Sequence, residues 1–343
     1  MAGAARFWRT LLGRPSPADP PAGAATPVPS TQPASSLIDS SVLPAATEGF
    51  HILRACAQGP QSELYQARVA GSDELVALKV VRFREGQQTT YFLREAAAAG
   101  RLQHPAIVHT LGAGIVTQNG ERCGWLAMEW VPGSDLTRYT QPGRLLPEGL
   151  VLRMGAVVAE ALAYAHAQGV VHRDLKPGNL LFNPAEGGTL KVGDFGCARL
   201  DDHGYSLSGL LVGTPCYMAP EQLSGVPLDG RCDLYALGIV LFELLTGQRP
   251  FDRPSMGETL AAIASEAAPP LRSLRPDLPE VLGDVLARMM AKSPADRHAD
   301  GHALARELRL IARACDGFTL PASRDNADIH KNNSRIEPRV TAS

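Results

Sequence analysis

Apolar and polar positions alternate in short runs through residues 50–131, and the period then changes. The segments FHILRACA (50–57), SELYQARVA (62–70), LVALKVVRF (75–83) and GWLAMEWV (124–131) are rich in aliphatic, β-branched and aromatic residues and are bounded by Gly, Asp and Asn turn formers. That pattern predicts strands. TTYFLREAAAAGRLQ (89–103) interrupts them, and its Ala, Leu and Glu content predicts a helix. From residue 150 the spacing is helical: LVLRMGAVVAEALAYAHAQG places Leu152, Val158, Ala159 and Leu162 along one face, with Gly169 as the stop. DLYALGIVLFELLTG is expected to open with Asp233 as its N-cap and to close at Gly247. The prediction is an α+β fold, a small sheet-rich lobe followed by a larger helical one, with no internal repeat.

The flanks read differently. Residues 1–48 are rich in Pro, Ala, Ser and Thr and lack apolar periodicity, and residues 316–343 are polar in the same aperiodic way. Neither can bury enough surface to offset its chain entropy, so a disordered leader and a disordered tail are expected around an ordered unit at 49–315. Within residues 6–14, Phe7, Trp8, Leu11 and Leu12 alternate with Arg6, Arg9 and Arg14, a candidate amphipathic turn for docking to a partner or a membrane surface.

With 343 residues the chain has room for two lobes, and its formal net charge of −2 gives no electrostatic reason to expect nucleic acid as a partner. The longest strongly apolar run, Leu234–Phe242, is interrupted by Glu243 and falls short of the ~20 residues that cross a bilayer, so no transmembrane segment is expected. The six cysteines show no CxxC pair. Scattered reduced thiols and a cytoplasmic location are the expectation.

The chemistry is concentrated in VVHRDLKPGNLL (170–181), where Asp174, Lys176 and Asn179 lie between the apolar pairs Val170-Val171 and Leu180-Leu181. An Asp can accept a hydroxyl proton, a Lys can neutralise a phosphoryl oxygen, and an Asn can ligate a hard cation. VGDFGCAR follows, with Asp194 as a second hard oxygen ligand beside a glycine. Together they suit transfer of a phosphoryl group to an alcohol.

With VALK (76–79), REAAAAGRLQHPAIV (94–108), HRDLKPGN (172–179), DFG (194–196), GTPCYMAPE (213–221), DLYALG (233–238) and SPADR (293–297) in this order, the chain resembles the eukaryotic-like protein serine/threonine kinases of bacteria from residue 50 to about 313. The resemblance implies an N-lobe at 49–130 and a C-lobe at 131–315, with ATP and Mg²⁺ (Mn²⁺ as an alternative) as cofactors. Its implied partners are proteins with Ser or Thr acceptors, and autophosphorylation is expected.

By that resemblance Lys79 holds the α- and β-phosphates and Glu95 orients it. Asp174 is the base, Lys176 contacts the γ-phosphate, and Asn179 and Asp194 hold the metal. Ala57, Gly59, Ser62, Leu64 and Ala77 line the nucleotide site with the hinge residues Met128, Glu129 and Val131, and Asp135 reaches the ribose. Arg173 is the implied partner of a phosphorylated activation segment, with Ser206 and Ser208 as acceptors, while Thr214 shapes the substrate site. Glu221 and Arg297 are the implied ion pair of the helical lobe, and Asp233 the implied strut beneath the catalytic loop.

Lysine occurs at only five positions, 79, 176, 191, 292 and 331, and two of these coincide with the implied phosphate contacts, where a compact ammonium suits a phosphate. The sequence departs from the family in the nucleotide-covering loop. AQGPQS keeps one glycine, Gly59, with Ala57 and Ser62 at the flanking positions and Pro60 directly after Gly59. This is expected to weaken ATP binding without abolishing the pocket. It also motivates an alternative, a pseudokinase scaffold that binds nucleotide with little turnover. Lys176 with GTPCYMAPE favours Ser/Thr over Tyr as acceptor, and Gly178 gives no support to a preference for arginine-flanked sites. Cys197 and Cys216 both fall in the activation segment and form a candidate redox pair.

Overall fold

The computed structural model describes residues 49–59, 62–83, 89–118, 121–185, 188–195 and 215–317. Strands β1 (Phe50–Gln58), β2 (Ser62–Val69), β3 (Leu75–Arg82), β4 (Thr110–Gln118) and β5 (Glu121–Glu129) form an antiparallel sheet in the order β1-β2-β3-β5-β4. Period-two alternation divides β3 between two small cores. Val76, Leu78 and Val80 join Tyr65, Ala67, Cys123 and Ala127 on one face. On the other face Val81 packs with Phe92 and Ala96 of helix α1 (Thr89–Gly100) and with Leu126 and Met128. Lys79 has the parity of Ala77 and Val81 and so lies on the side that carries α1.

Four of the five strands match the predicted runs, and β4 is the one that was missed. Gly112 and Gly114 in TLGAGIVTQ read as turn residues, yet the ring of Trp125 lies across this part of β4. A Cβ at Gly114 would come within 2.6 Å of Trp125 Nε1, so the strand needs glycine for close packing. A second, smaller sheet, β6 (Ser134–Asp135), β7 (Leu180–Asn183) and β8 (Thr189–Val192), was also not anticipated, because strands this short carry almost no periodic signal.

The C-lobe is built around α2 (Glu148–Ala167), with α3 (Pro220–Leu223), α4 (Arg231–Thr246), α5 (Met256–Ser265), α6 (Leu271–Leu274), α7 (Glu280–Met289) and α8 (Gly301–Gly317) around it. Leu152, Val158, Ala159 and Leu162 are buried as expected. Leu150, Val151, Met154, Ala156, Ala161, Ala163 and Ala165 are buried too, so α2 is a central helix enclosed on nearly every side rather than an amphipathic one. Small residues make this enclosure feasible. A Cβ on Gly301 at the start of α8 would lie 2.1 Å from the Ala159 carbonyl, and one on Gly155 would meet Leu241 of α4 at 2.9 Å. By length and composition α2 is apolar enough to cross a membrane, and here it is a core helix.

Gly169 and Gly247 end their helices in the left-handed conformation (φ +74° and +73°), as predicted. Asp233, however, is not an N-cap. Helix α4 starts at Arg231 after Gly230, and Asp233 lies inside its first turn. Its carboxylate is drawn away from the helix's own amides by donors on the catalytic loop. Helix α8 continues through Asp316 and Gly317, into the segment expected as tail.

Lys292 closes one end of the C-lobe core. Its Nζ donates to the carbonyls of Ile263 (2.8 Å) and Ala262 (3.2 Å) at the end of α5 and sits 3.7 Å from the centroid of the Phe251 ring. Burial, aided by the charge of Arg297, pulls its pKa from 10.5 down to about 8. Between those values the unfolded chain binds the proton that the folded chain has released, so this group's contribution to stability rises with pH. The difference in Tm between wild type and Lys292→Met, measured at pH 8 and pH 10 by differential scanning fluorimetry, should therefore move in favour of wild type at the higher pH. A difference that is flat or falls with pH would refute the assignment.

Candidate active site

The catalytic loop hangs from buried apolar anchors, Val170, Leu175 and Leu180, which explains the apolar brackets around its polar centre. Beneath it the Asp233 carboxylate accepts the backbone N–H groups of His172 (Oδ2, 2.8 Å) and Arg173 (Oδ1, 2.8 Å) and lies 2.7 Å from His166 Nε2. Burial alone would push the Asp233 carboxyl up. The hydrogen bond from His166, the positive potential of His172 and His166 and the loop amide outweigh burial and hold it below the usual carboxylate range. This clamp stabilises a conformation a non-glycine residue rarely adopts, Arg173 at φ +66°. His172 is buried, with Nε2 2.8 Å from the Gly193 carbonyl and its ring edge-on to Phe195.

With its backbone so fixed, the loop presents Asp174, whose side chain is 42% exposed toward the cleft. Lys176 Nζ lies 2.7 Å from Asp174 Oδ2, and Asn179 Nδ2 donates to Asp174 O (2.7 Å) and Oδ2 (3.2 Å). Gly193 N donates to Asn179 O at 2.8 Å, which places Asp194 beside Asn179 at the end of β8. Asp194 is also left-handed, at φ +58°. Its Oδ1 pairs with Lys79 Nζ at 2.9 Å, a contact between lobes. Burial again works against ionisation, and the charge and hydrogen bond of Lys79 outweigh it, so the Asp194 carboxyl is held low and ionised at neutral pH.

Asp194 and Asn179 together offer a carboxylate and a carboxamide oxygen. The Asn179 amide nitrogen is taken up by Asp174, which among the described residues leaves its oxygen to face a cation. This hard oxygen set fits Mg²⁺.

The other expected residues fall around the same cleft. Leu64, Ala77 and Val131 are partly buried against Met128, and Leu181 of β7 joins them from the C-lobe, forming an apolar slot beside the hinge. Leu181 was missed as a site residue, although strand parity with the buried Leu180 and Phe182 points it out of the C-lobe core. Ala57 and Gly59 are exposed on β1 and its turn, where Gly59 N donates to Ser62 O at 2.7 Å and closes a tight hairpin. Pro60 lies outside the described residues. Glu95 is half-buried on α1, the helix packed on the sheet face that carries Lys79.

The Glu129 side chain does not serve the nucleotide slot. Its Oε1 lies 2.5 Å from Lys191 Nζ on β8 and accepts His109 N at 2.8 Å, so any hinge contact must come from its backbone. Lys191 was overlooked, although it is one of only five lysines. Asp135 caps the turn Leu136–Tyr139 by accepting Thr137 N at 2.8 Å, and on β6 it pairs with Leu181, which keeps it at the cleft edge.

Arg173 donates from Nη1 to the hydroxyl of Tyr91 on α1 at 3.3 Å. Ser206, Ser208, Thr214 and Cys197 lie outside the described residues. Cys216 is buried with its Sγ 3.7 Å from Asp252 Oδ1, and burial pushes its thiol up, an environment that disfavours the thiolate a redox switch needs. Tyr217 donates its hydroxyl to Glu243 at 2.6 Å, beneath the same segment. Glu221 and Arg297 form a buried bidentate pair at 2.6 and 2.8 Å.

A lysine from the sheet lobe and an aspartate at the end of β8 meeting over a loop of Asp, Lys and Asn is the arrangement expected of a phosphotransferase cleft. The sequence profile of the protein kinase domain matches residues 50–308. The chain belongs to the protein kinase domain family.

Among relatives of this kinase domain, the serine/threonine-protein kinase pkn3 of Myxococcus xanthus is 39% identical over 231 residues, which cover 64% of this chain and 42% of that protein. The serine/threonine-protein kinase PknJ of Mycobacterium tuberculosis is 39% identical over 230 residues, covering 65% of this chain and 38% of that protein. The crystal structure of the Mycobacterium tuberculosis PknI kinase domain superposes with a TM-score of 0.61 at 30% identity, over 77% of this chain and 96% of that one. The chain thus spans less than half the length of the curated relatives named here.

Proposed function

We propose that this chain is an active protein serine/threonine kinase that transfers the γ-phosphoryl group of ATP to Ser and Thr hydroxyls of protein substrates, itself included. The observation that carries this reading is the meeting of Lys79 with Asp194 at 2.9 Å beside the Asp174–Lys176–Asn179 cluster. Each polar group in that set matches a requirement of the reaction.

The adenine base is held between Leu64 and Ala77 above and Leu181 below, with Met128 and Val131 at the hinge. Lys79 neutralises the inner phosphates. Asp174, exposed toward the cleft, orients the substrate hydroxyl and takes its proton as the hydroxyl oxygen bonds to the γ-phosphorus and the bond to the β-phosphate oxygen breaks, releasing ADP. Lys176, next to Asp174, offsets negative charge on the transferring group. Asn179 and Asp194 would hold Mg²⁺, which would supply neutralisation of phosphate charge. The regulatory roles of Arg173, Ser206, Ser208 and Thr214 belong to the same proposal, as does the use of serine and threonine as acceptors.

A second reading, a nucleotide-binding scaffold with little turnover, is favoured by the covering loop, where Ala57, Pro60 and Ser62 replace a more glycine-rich turn. One assay separates the two. The full chain is incubated with γ-labelled ATP, Mg²⁺ and a generic acceptor protein, with and without EDTA, and labelled positions are mapped by mass spectrometry. EDTA-sensitive label on serine or threonine is expected. ATP binding without label would select the scaffold, and label confined to tyrosine would overturn the acceptor class.

A further inference from the structure

Helix α1 meets the C-lobe at both ends. At its C-terminal end Ala99, with Leu102 just beyond, is part of the C-lobe core. At its N-terminal end Tyr91 accepts a hydrogen bond from Arg173 across a sequence separation of 82 residues. The backbone of Arg173 is held rigidly: its N–H goes to Asp233 Oδ1 at 2.8 Å and its carbonyl accepts Gln222 Nε2 at 2.9 Å. The guanidinium therefore projects from a fixed point next to Asp174, and whatever binds it on α1 inherits that position.

Tyr91 and Glu95 are four residues apart, one turn of helix, on the same side of α1. The rest of the helix holds to the sheet through Phe92 and Ala96, while Thr90, Leu93, Arg94 and Ala97 face solvent. Anchored at its C-terminal end by apolar packing, α1 is tied to the catalytic loop at its N-terminal half by the Tyr91–Arg173 contact, and the helix lies on the face of the sheet that bears Lys79.

We propose that Tyr91 is a positioning residue: its hydroxyl, held by Arg173, locks α1 to the catalytic loop and thereby sets Glu95 against the nucleotide-binding lysine. The inference rests on the proposed phosphoryl transfer for its catalytic consequence, but the mechanical link stands on the geometry alone. Arg173, implied as the partner of a phosphate on the activation segment, thus already engages α1 through a neutral hydroxyl.

The full chain is compared with Tyr91→Phe, Tyr91→Gln and Asp174→Asn by steady-state kinetics, thermal melting and hydrogen exchange over residues 89–100. Tyr91→Phe keeps the ring and loses the acceptor. It should lower kcat by roughly tenfold, the scale of one hydrogen bond to a charged group, with little change in the KM for ATP or in Tm. It should also speed exchange across α1. Tyr91→Gln loses the ring as well, and its shorter side chain does not reach the position of the hydroxyl, so it should share the kcat loss and add a loss of Tm that Tyr91→Phe does not show. Wild-type kcat and wild-type exchange in Tyr91→Phe would overturn the proposal, as would a Tm lowered equally in Tyr91→Phe and Tyr91→Gln, the mark of lost packing alone. If wild type is no more active than Asp174→Asn, the proposed phosphoryl transfer fails, and exchange across α1 still decides the role of Tyr91.

Discussion

Replacing Asp174 with Asn lowers the rate of phosphoryl transfer by roughly 10²–10⁴-fold, the range a positioned general base contributes, and leaves the KM for ATP nearly unchanged. The substitution is isosteric, and the neighbours of Asp174 retain a use for it. The Asn carboxamide oxygen can still accept from Lys176, which stands 2.7 Å from Oδ2, and the backbone carbonyl that receives Asn179 at 2.7 Å is untouched. The loop itself is suspended from Asp233 through the amides of residues 172 and 173, so its course does not depend on the Asp174 carboxylate. What is lost is the ability to take a proton from the incoming hydroxyl and the negative charge that faces Lys176. Initial rates with γ-labelled ATP and a saturating acceptor protein, together with a melting curve, provide the check. A variant that folds like wild type and retains more than a tenth of its rate would remove Asp174 from the role of base.

The two-lobed α+β fold class was legible in the sequence, as were the residues that the structure gathers at the candidate site, whereas several individual elements were not, and the physical reason lies in how each is encoded. Phosphoryl transfer needs particular functional groups, so Lys79, Asp174, Asn179 and Asp194 stand out by residue type and order even though they converge from different elements. The fold depends on packing, which sequence periodicity reports only where an element has one wet face. Helix α2 has none, and its one-sided prediction missed the neighbours that cover its other faces. Strand β4 was hidden by Gly112 and Gly114, whose role depends on Trp125 from the adjacent strand, a relation absent from any local window. Local pattern makes Asp233 a helix cap because it precedes an apolar run, and only the family resemblance names it as a strut, because its partners His166, His172 and Arg173 lie some sixty to seventy residues earlier in the chain. Lys191 and Tyr91 escaped for the same reason. Nothing in the sequence near them names Glu129 or Arg173 as the group they touch.

The other large effect concerns stability. Arg297→Met is expected to cost about 3–5 kcal/mol, the usual consequence of leaving a buried charge without its partner. The Arg297 side chain has no exposed surface, and all five of its N–H donors are used. Nη1 and Nη2 form the bidentate pair with Glu221 at 2.6 and 2.8 Å, the remaining hydrogens go to the carbonyls of Arg231 (3.0 Å) and Lys292 (3.1 Å), and Nε goes to the Ala291 carbonyl at 2.8 Å. Its plane also lies over the Tyr235 ring, 4.8 Å from the centroid. Methionine fills part of that volume but satisfies none of those acceptors, and Glu221 is left ionised in the core or must take up a proton. By contrast Arg68→Ala, which breaks a pair with Asp73 on the surface, should fall within ~1 kcal/mol of wild type. Urea denaturation of the three proteins tests the contrast, and an Arg297→Met loss no larger than that of Arg68→Ala would refute it. Catalysis gives a second reading of the same variant. Gln222, next to Glu221 in α3, donates to the Arg173 carbonyl at 2.9 Å, so the ion pair braces the segment that touches the catalytic loop. Activity of Arg297→Met should therefore be near wild type at low temperature and collapse on warming as the C-lobe unfolds, whereas the Asp174→Asn deficit should be much the same at every temperature where the protein is folded.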